Sequence, residues 1–400
     1  KRNSANQMIF ANVPPSKRLT NLFKDIFASM DKPLLLMIFL VFFISCFAVY
    51  SASHDEMHKY YQHLRNLVIA ASLIVILARI PSVFLEKLAI PTYVITILLL
   101  LATEFFGETI NGATRWINLG FIKMQPSEIM KIALPLLMAW FVQKNDGLNT
   151  KTDWFLCVFL LVLPVALILR QPDLGTAILI IISGLVLLFF AGMSWKIVLF
   201  GIGVFTIMLT LLLIFGESAC QDGINWPGLR DYQKLRICTL LDPMSDPLGA
   251  GFHTIQSVTA VGSGGFIGKG WLLGTQTQLA FIPERATDFV FSGFAEEFGF
   301  LGSLILVLLY CGITLRGLWI SLGAPTQFAR LLAGTLSLMT FTYACVNIGM
   351  VTGLLPVVGI PLPWVSYGGT ALITLSVGTG LIMSVARDRS FTTQGFSFQS

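Results

Sequence analysis

The chain has 400 residues, of which 55% are AVILMFWYC and only 12% are Asp, Glu, Lys or Arg. A soluble surface takes about 25% charged residues to cover it, so this composition, with a mean hydropathy of +0.78, excludes a cytosolic enzyme, a nucleic-acid binder and a disordered chain. It leaves an all-α integral membrane protein: only helices and closed barrels satisfy their backbone in lipid, and the continuous apolar runs lack the alternation of a barrel. The net charge of +5 matters less than where the basic residues sit.

In chain order, residues 1–32 form a polar segment in which Leu19, Leu22, Phe23, Ile26, Phe27 and Met30 recur at helical spacing. They predict an amphipathic helix on the membrane surface. Ten apolar runs long enough to span then follow, near 33–52, 64–80, 88–106, 125–142, 154–170, 174–192, 196–215, 288–314, 328–352 and 364–386. Seven spans thus occupy 33–215 and three occupy 288–386, with a tail over 387–400. The first run has no small-residue cleavage site and is expected to stay as a span. With the N-terminus inside, one face collects Lys17, Lys24, Lys32, Arg79, Lys87, Lys144, Lys196, Arg316 and Arg387 among others. The positive-inside rule therefore puts both termini in the cytoplasm. Residues 216–287 are then a large extracytoplasmic loop, where a small external domain or lid would be built.

Ionisable groups at membrane depth are costly and mark candidate sites. Glu128 and Lys131 open the fourth span, three apart on one helical face. They read either as a neutralised pair at a helix start or as functional groups. Arg115, beside Trp116, either holds a phosphate or stacks on the indole. Asp173, in the turn Gln171-Pro172-Asp173, is a helix cap or a site residue. In the loop, Gly262-Ser263-Gly264-Gly265-Phe266-Ile267-Gly268-Lys269-Gly270 departs from the Walker pattern at Ser263 and Gly270. Its backbone N–H groups and Lys269 could cradle an anion; the alternative is a turn that folds the loop back on the membrane. Asp288 ends the run Glu284-Arg285-Ala286-Thr287-Asp288 at the start of the eighth span. It is either an N-cap or a general base at the water–lipid boundary, where partial desolvation would raise its pKa. Glu296 and Glu297, deeper in the same span, line a cavity or pair with neighbours. Cys220 and Cys238 both fall in the loop and are either bridged or free. Residues 353–369 are apolar yet broken by Pro356, Pro361 and Pro363. Such backbone sits at membrane depth only when it is buried in protein or lines a cavity, so a re-entrant segment forming a pocket wall is expected.

At these residues the chain resembles the SEDS family of shape, elongation, division and sporulation proteins. The resemblance runs from the first span to the tenth. It is carried by Gly353 to Gly369, Gly112-Ala113-Thr114-Arg115-Trp116, Gln125-Pro126-Ser127-Glu128 with Lys131, Gln171-Pro172-Asp173-Leu174-Gly175-Thr176, and Pro283-Glu284-Arg285 with Thr287-Asp288-Phe289. Leu240-Leu241-Asp242-Pro243 and Asp246-Pro247-Leu248-Gly249-Ala250-Gly251 look more like the elongation branch than the division branch. Ala286 departs from the family, which commonly has His there, and an insertion bearing Cys220 and Trp226 lengthens the loop. The resemblance implies a peptidoglycan glycosyltransferase that polymerises lipid II, with Asp288 as the essential carboxylate and Glu128 with Lys131 as a functional pair. It also implies a class B penicillin-binding protein as partner, besides lipid II and membrane lipids. Departure of a pyrophosphate needs positive charge, from Arg115, Lys131, Lys269 or a divalent cation; no cofactor is otherwise expected. Two rivals remain: a lipid II flippase, and a non-catalytic scaffold of the elongation machinery.

Overall fold

The computed structural model describes residues 30–110, 113–118, 123–220, 226, 231–247, 249, 251–279, 281 and 284–397. Apart from Met30, the expected amphipathic helix lies outside the described residues, as do Asn111, Gly112 and Pro283. The elements in order are α1 (Lys32–Ala52), α2 (Met57–Leu77), α3 (Ser82–Phe106), β1 (Glu108–Ile110), β2 (Ala113–Asn118), β3 (Lys123–Met124), α4 (Pro126–Lys144), α5 (Lys151–Arg170), α6 (Leu174–Phe190) and α7 (Trp195–Ala219). They continue with α8 (Asp231–Leu241), a 3-10 turn (Pro243–Ser245), α9 (Phe252–Ser263), α10 (Thr275–Gln278), α11 (Val290–Leu322), α12 (Gln327–Val351) and α13 (Thr370–Ser397). The chain is an all-α integral membrane protein. Among the described residues, eight helices (α1, α2, α3, α5, α7, α11, α12 and α13) are long and apolar enough to cross a membrane. The expected fourth and sixth runs appear as α4, which carries Glu128 and Lys131, and α6, which has only 17 residues.

Helix starts follow local chemistry. Asp31 accepts from Leu34 N at 3.1 Å to cap α1, Thr150 and Asp153 form a reciprocal capping box on α5, and Asp173 caps α6. The link between α3 and α4 is a three-stranded antiparallel sheet in the order β1-β2-β3, which the hydropathy pattern does not foresee. Its Thr109, Thr114, Trp116 and Ile117 are β-branched or aromatic and suit a short ribbon. The last helix begins at Thr370, not near 364, because 353–369 is irregular chain.

The core of the bundle is built on α4, α12 and α13: 67% of the spanning window of α12 and 78% of that of α13 is buried, whereas none of that of α7 is. Buried hydroxyls in this core return to their own helix, as with Thr340 to the Leu336 carbonyl and Ser376 to that of Leu372. Arg316 grips Asp31 through Nε (3.0 Å) and Nη2 (2.7 Å), tying the start of α1 to α11.

The stretch over 216–287 is not a plain loop. α7 continues into it as far as Ala219, and α8, α9 and α10 follow. Cys220 and Cys238 form a disulfide that ties the end of α7 to α8. The Gly-rich run inserts into α11 at a break. There Glu296 O and Glu297 O accept from Lys269 N and Gly270 N, both at 3.0 Å, while Phe300 N and Leu301 N donate to Gly265 O and Phe266 O. Four backbone groups that an unbroken helix would pair internally are paired by the loop instead. Gly299, at φ 65 and ψ −162, turns the chain at this point, in a region open essentially to Gly alone. A Cβ on Gly299 would also meet Gly268 N at 2.3 Å. The run is therefore the fold-back turn, and the Lys269 anion cradle is corrected: the Lys269 amine bonds Glu296 (2.7 Å) and Thr275 (2.9 Å). Glu296 further accepts from Thr275 Oγ1 and Gln276 N, and Glu297 accepts from Ser51. Both glutamates thus fasten the loop to the bundle.

Gly299→Ala should lower the thermal midpoint by an amount corresponding to about 1–3 kcal/mol. Gly201→Ala in α7, where an added Cβ meets nothing within 4 Å, should leave the midpoint unchanged or higher. Scanning calorimetry of the purified protein distinguishes the two.

Candidate active site

One cavity of about 430 Å³ draws together most of the separately predicted motifs. Its wall includes Arg115 from β2, Gln125, Glu128 and Lys131 from the start of α4, Asp173 and Thr176 from the start of α6, and Thr287 with Asp288 from the turn before α11. Arg236 of α8, Tyr343 of α12, and stretches of the 353–369 segment complete it.

The charged groups are arranged in pairs. Lys131 Nζ donates to Glu128 Oε1 at 2.5 Å and also to the hydroxyl of Tyr343, and both charged residues are buried. Glu128 Oε2 is buried with no hydrogen-bond partner. Asp173 caps a helix and lines the cavity. Its Oδ1 caps α6 through Thr176 N (3.2 Å) and lies 3.7 Å from Arg115 Nη1, and its Oδ2 accepts from Gln125 Nε2 at 2.8 Å. Arg115 donates as well to the carbonyls of Gln171 (3.3 Å) and Pro172.

Asp288 is held from behind by its backbone. Asn347 Nδ2 donates to Asp288 O (2.8 Å) and to Ile360 O (2.7 Å), joining the turn before α11 to the proline-broken segment. Ser366 Oγ donates to Thr287 O (2.6 Å) and accepts from Leu362 N (2.7 Å), and Tyr367 N donates to Ala286 O (2.7 Å). The second half of the 353–369 segment is largely buried in protein and contributes to the cavity wall, with Val358, Ile360, Leu362, Trp364 and Val365 in the core, whereas Leu354 and Leu355 are exposed. Gly359 faces the carboxylate closely: a Cβ there would lie 3.4 Å from Asp288 Oδ2. Burial, with a smaller contribution from the Glu284 charge, pushes the Asp288 carboxyl up to about 6, and Arg236 works in the opposite direction. Asp288 is not the N-cap of α11; Phe289 occupies that position.

Two other motif residues lie away from the cavity wall. Glu284 accepts from Thr287 Oγ1 at 2.8 Å, bracing the turn. Arg285 pairs with Asp55 at 2.5 Å and donates to Thr277 O, tying the turn to the α1–α2 link and α10. Tyr343, Asn347 and Arg236 were not singled out in the sequence. The first two are polar groups one helical turn apart in an apolar helix, a signal that was there to be read. Arg236 sits in an ordinary-looking charged stretch and carries no such signal.

Removing one member of the buried ion pair should cost more than removing both. Lys131→Met or Glu128→Gln alone should destabilise by about 3–5 kcal/mol, and the double variant by less; chemical unfolding of the three variants tests the order. The raised carboxyl predicts a pH-dependent stability. Its folded value of about 6 lies above the ordinary 3.8, so the contribution of the neutral form is fully present below about pH 4 and lost as pH rises through about 6. Asp288→Asn should therefore match wild type at pH 4 and exceed it by roughly 1–3 kcal/mol at pH 7.5.

A family model described as "Cell cycle protein", covering FtsW, RodA and SpoVE, matches residues 29–391. Over 361 residues the chain is 44% identical to Peptidoglycan glycosyltransferase MrdB of Escherichia coli K12, covering 90% of this chain and 94% of that protein. Peptidoglycan glycosyltransferase RodA of Treponema pallidum is 34% identical over 349 residues, with coverage of 72% and 80%. Among solved structures, one described as "Structural coordination of polymerization and crosslinking by a peptidoglycan synthase complex" is similar with a TM-score of 0.74 and 33% identity, covering 90% of this chain and 98% of that one. The crystal structure of Thermus thermophilus RodA is similar with a TM-score of 0.66 and 28% identity, covering 90% and 97%. With its separate motifs folded onto one cavity and a match along almost its whole length, the chain belongs to the FtsW/RodA/SpoVE family.

Proposed function

We propose that this chain is a peptidoglycan glycosyltransferase that polymerises lipid II into glycan strands during cell elongation, with Asp288 as its general base. The observation that carries the reading is the cavity itself. A carboxylate tuned to about 6 shares one space with the Glu128–Lys131 pair and Arg115, in a chain 44% identical to a protein named for that activity.

In the proposed step, the growing strand carries undecaprenyl diphosphate on its anomeric carbon. A sugar hydroxyl of the incoming lipid II attacks that carbon. The new C–O bond forms as the bond to the diphosphate oxygen breaks, with inversion, and the hydroxyl proton passes to Asp288. A base near the working pH combines a useful ionised fraction with useful basicity. The negative charge that develops on the departing diphosphate is met by Arg115 and Lys131, whose positions are fixed beforehand by Asp173, Glu128 and Tyr343. The reading places both termini in the cytoplasm and the cavity on the opposite face, where the lipid tail can stay in the bilayer. A class B penicillin-binding protein is the partner that fits, supported by the similarity to a synthase complex that couples polymerization and crosslinking.

Purified protein given labelled lipid II should produce a glycan ladder on a gel without any conventional glycosyltransferase. Movement of lipid II across vesicles with no ladder would favour the flippase instead. Asp288→Asn should abolish the ladder, and full activity in that variant would end the general-base assignment. For the wild type, kcat/KM should fall with decreasing pH through an acid limb centred near 6.

A further inference from the structure

The mechanism above leaves one cavity cation unassigned. Arg236 reaches the wall from α8, within the segment between α7 and α11, whereas Arg115 and Lys131 come from β2 and α4. The helix that carries it is two-faced. Along one stripe Cys238 is bonded to Cys220, and Leu241 packs on Gly216, where an added Cβ would meet Leu241 Cδ1 at 2.4 Å. These positions are three apart on α8 and four apart on α7, so each pair shares a helix face. Arg236 is two residues from Cys238, about 200° around the helix, and falls on the opposite face. There it is flanked at i−3 and i+3 by Gln233 and Thr239, both buried. The disulfide stripe thus turns the Gln233–Arg236–Thr239 stripe toward the protein.

Three further observations bear on what this arrangement does. The far end of α8 is fixed by Asp242, which caps the 3-10 turn through Met244 N (3.0 Å), and by Gly251 N donating to Asp246 O (3.0 Å). α9 then anchors to α12 through Ser257 Oγ and Val351 O at 2.7 Å. On the other side the crosslink ties α8 to α7, whose spanning window buries nothing of its own. A guanidinium's planar fork matches phosphate oxygens in two places at once, but only if its helix does not rotate.

We propose that Arg236 binds the diphosphate of the lipid-linked donor, and that the Cys220–Cys238 crosslink is the positioning element that aims it by fixing the face of α8. This rests on the polymerase reading for the identity of the anion; Arg236 also acts on the Asp288 carboxyl through its charge, so binding of the diphosphate, which needs no turnover, is the primary readout. The other four cysteines are free thiols, so mild reductant breaks this bond and no other within the chain.

The test uses the full chain in lipid nanodiscs and measures binding of undecaprenyl diphosphate, which needs no turnover, alongside KM and kcat for lipid II. Arg236→Gln should weaken binding on the order of tenfold and raise KM by a similar factor with little change in kcat, and Arg236→Lys should recover part of the loss. Cys220→Ser with Cys238→Ser should weaken binding severalfold, and dithiothreitol on the folded wild type should do the same. Adding Arg236→Gln to the cysteine pair should cost no more than Arg236→Gln alone, because the bond acts through the arginine. Wild-type binding by Arg236→Gln, losses that multiply in the triple variant, or Arg236 dependence seen with inorganic pyrophosphate but not with undecaprenyl diphosphate would each overturn the proposal. If the wild type makes no glycan ladder yet keeps this Arg236-dependent binding, the polymerase reading fails and this one stands.

Discussion

A break in an apolar helix leaves backbone polar groups that must find partners elsewhere, and the break in α11 shows how this chain supplies them. The carbonyls of Glu296 and Glu297 and the amides of Phe300 and Leu301 are handed to the Gly-rich run rather than left open. A helix can be interrupted at membrane depth only when another segment supplies the missing partners. Here the interruption brings the long segment after α7 into the bundle and holds it there. Glycines at 264, 268 and 299 make it possible, since a Cβ at any of them would sit within 2.3 Å of a backbone atom. The two glutamates that begin the break then bond the loop's side chains and Ser51, so the same few residues fix both backbone and electrostatics.

That anchoring sets where Asp288 lies. The turn that carries it is pinned on several sides: to α12 and the proline-broken wall through Asn347, to that wall again through Ser366 and Tyr367, and to the α1–α2 link through Arg285. Most of these bonds grip backbone carbonyls, which leaves the carboxylate itself to face the cavity. Its raised pKa follows from this arrangement, because burial acts on the side chain and the Glu284 charge adds to it.

α12 serves as the spine of the site. Tyr343 touches Lys131, and one turn later Asn347 holds the carbonyl of Asp288. The ion pair on α4 and the carboxylate before α11 are therefore read off one rigid helix. A preorganised site of this kind does not have to reorganise as charge develops, which is the main source of electrostatic catalysis. It is also why so many polar groups are retained at a depth where each would be costly alone.

The membrane class, most of the long helices, the irregular wall over 353–369 and the residues Arg115, Glu128, Lys131, Asp173 and Asp288 were legible in the sequence. Continuous apolar runs fix the first, prolines the third, and charged groups in apolar surroundings stand out by their cost. What the sequence left open was every choice between two local fates. Lys269 and Asp288 both sat in plausible ligand-binding contexts, and only the fold gave one to Glu296 and turned the other toward the cavity. The closing of Cys220 on Cys238, the β ribbon carrying Arg115, and the arrival of Arg236 likewise depend on segments far apart in the chain. Hydropathy and spacing report what a residue can afford within its own helix. Which partner it meets is decided by packing between helices, and that information is not local.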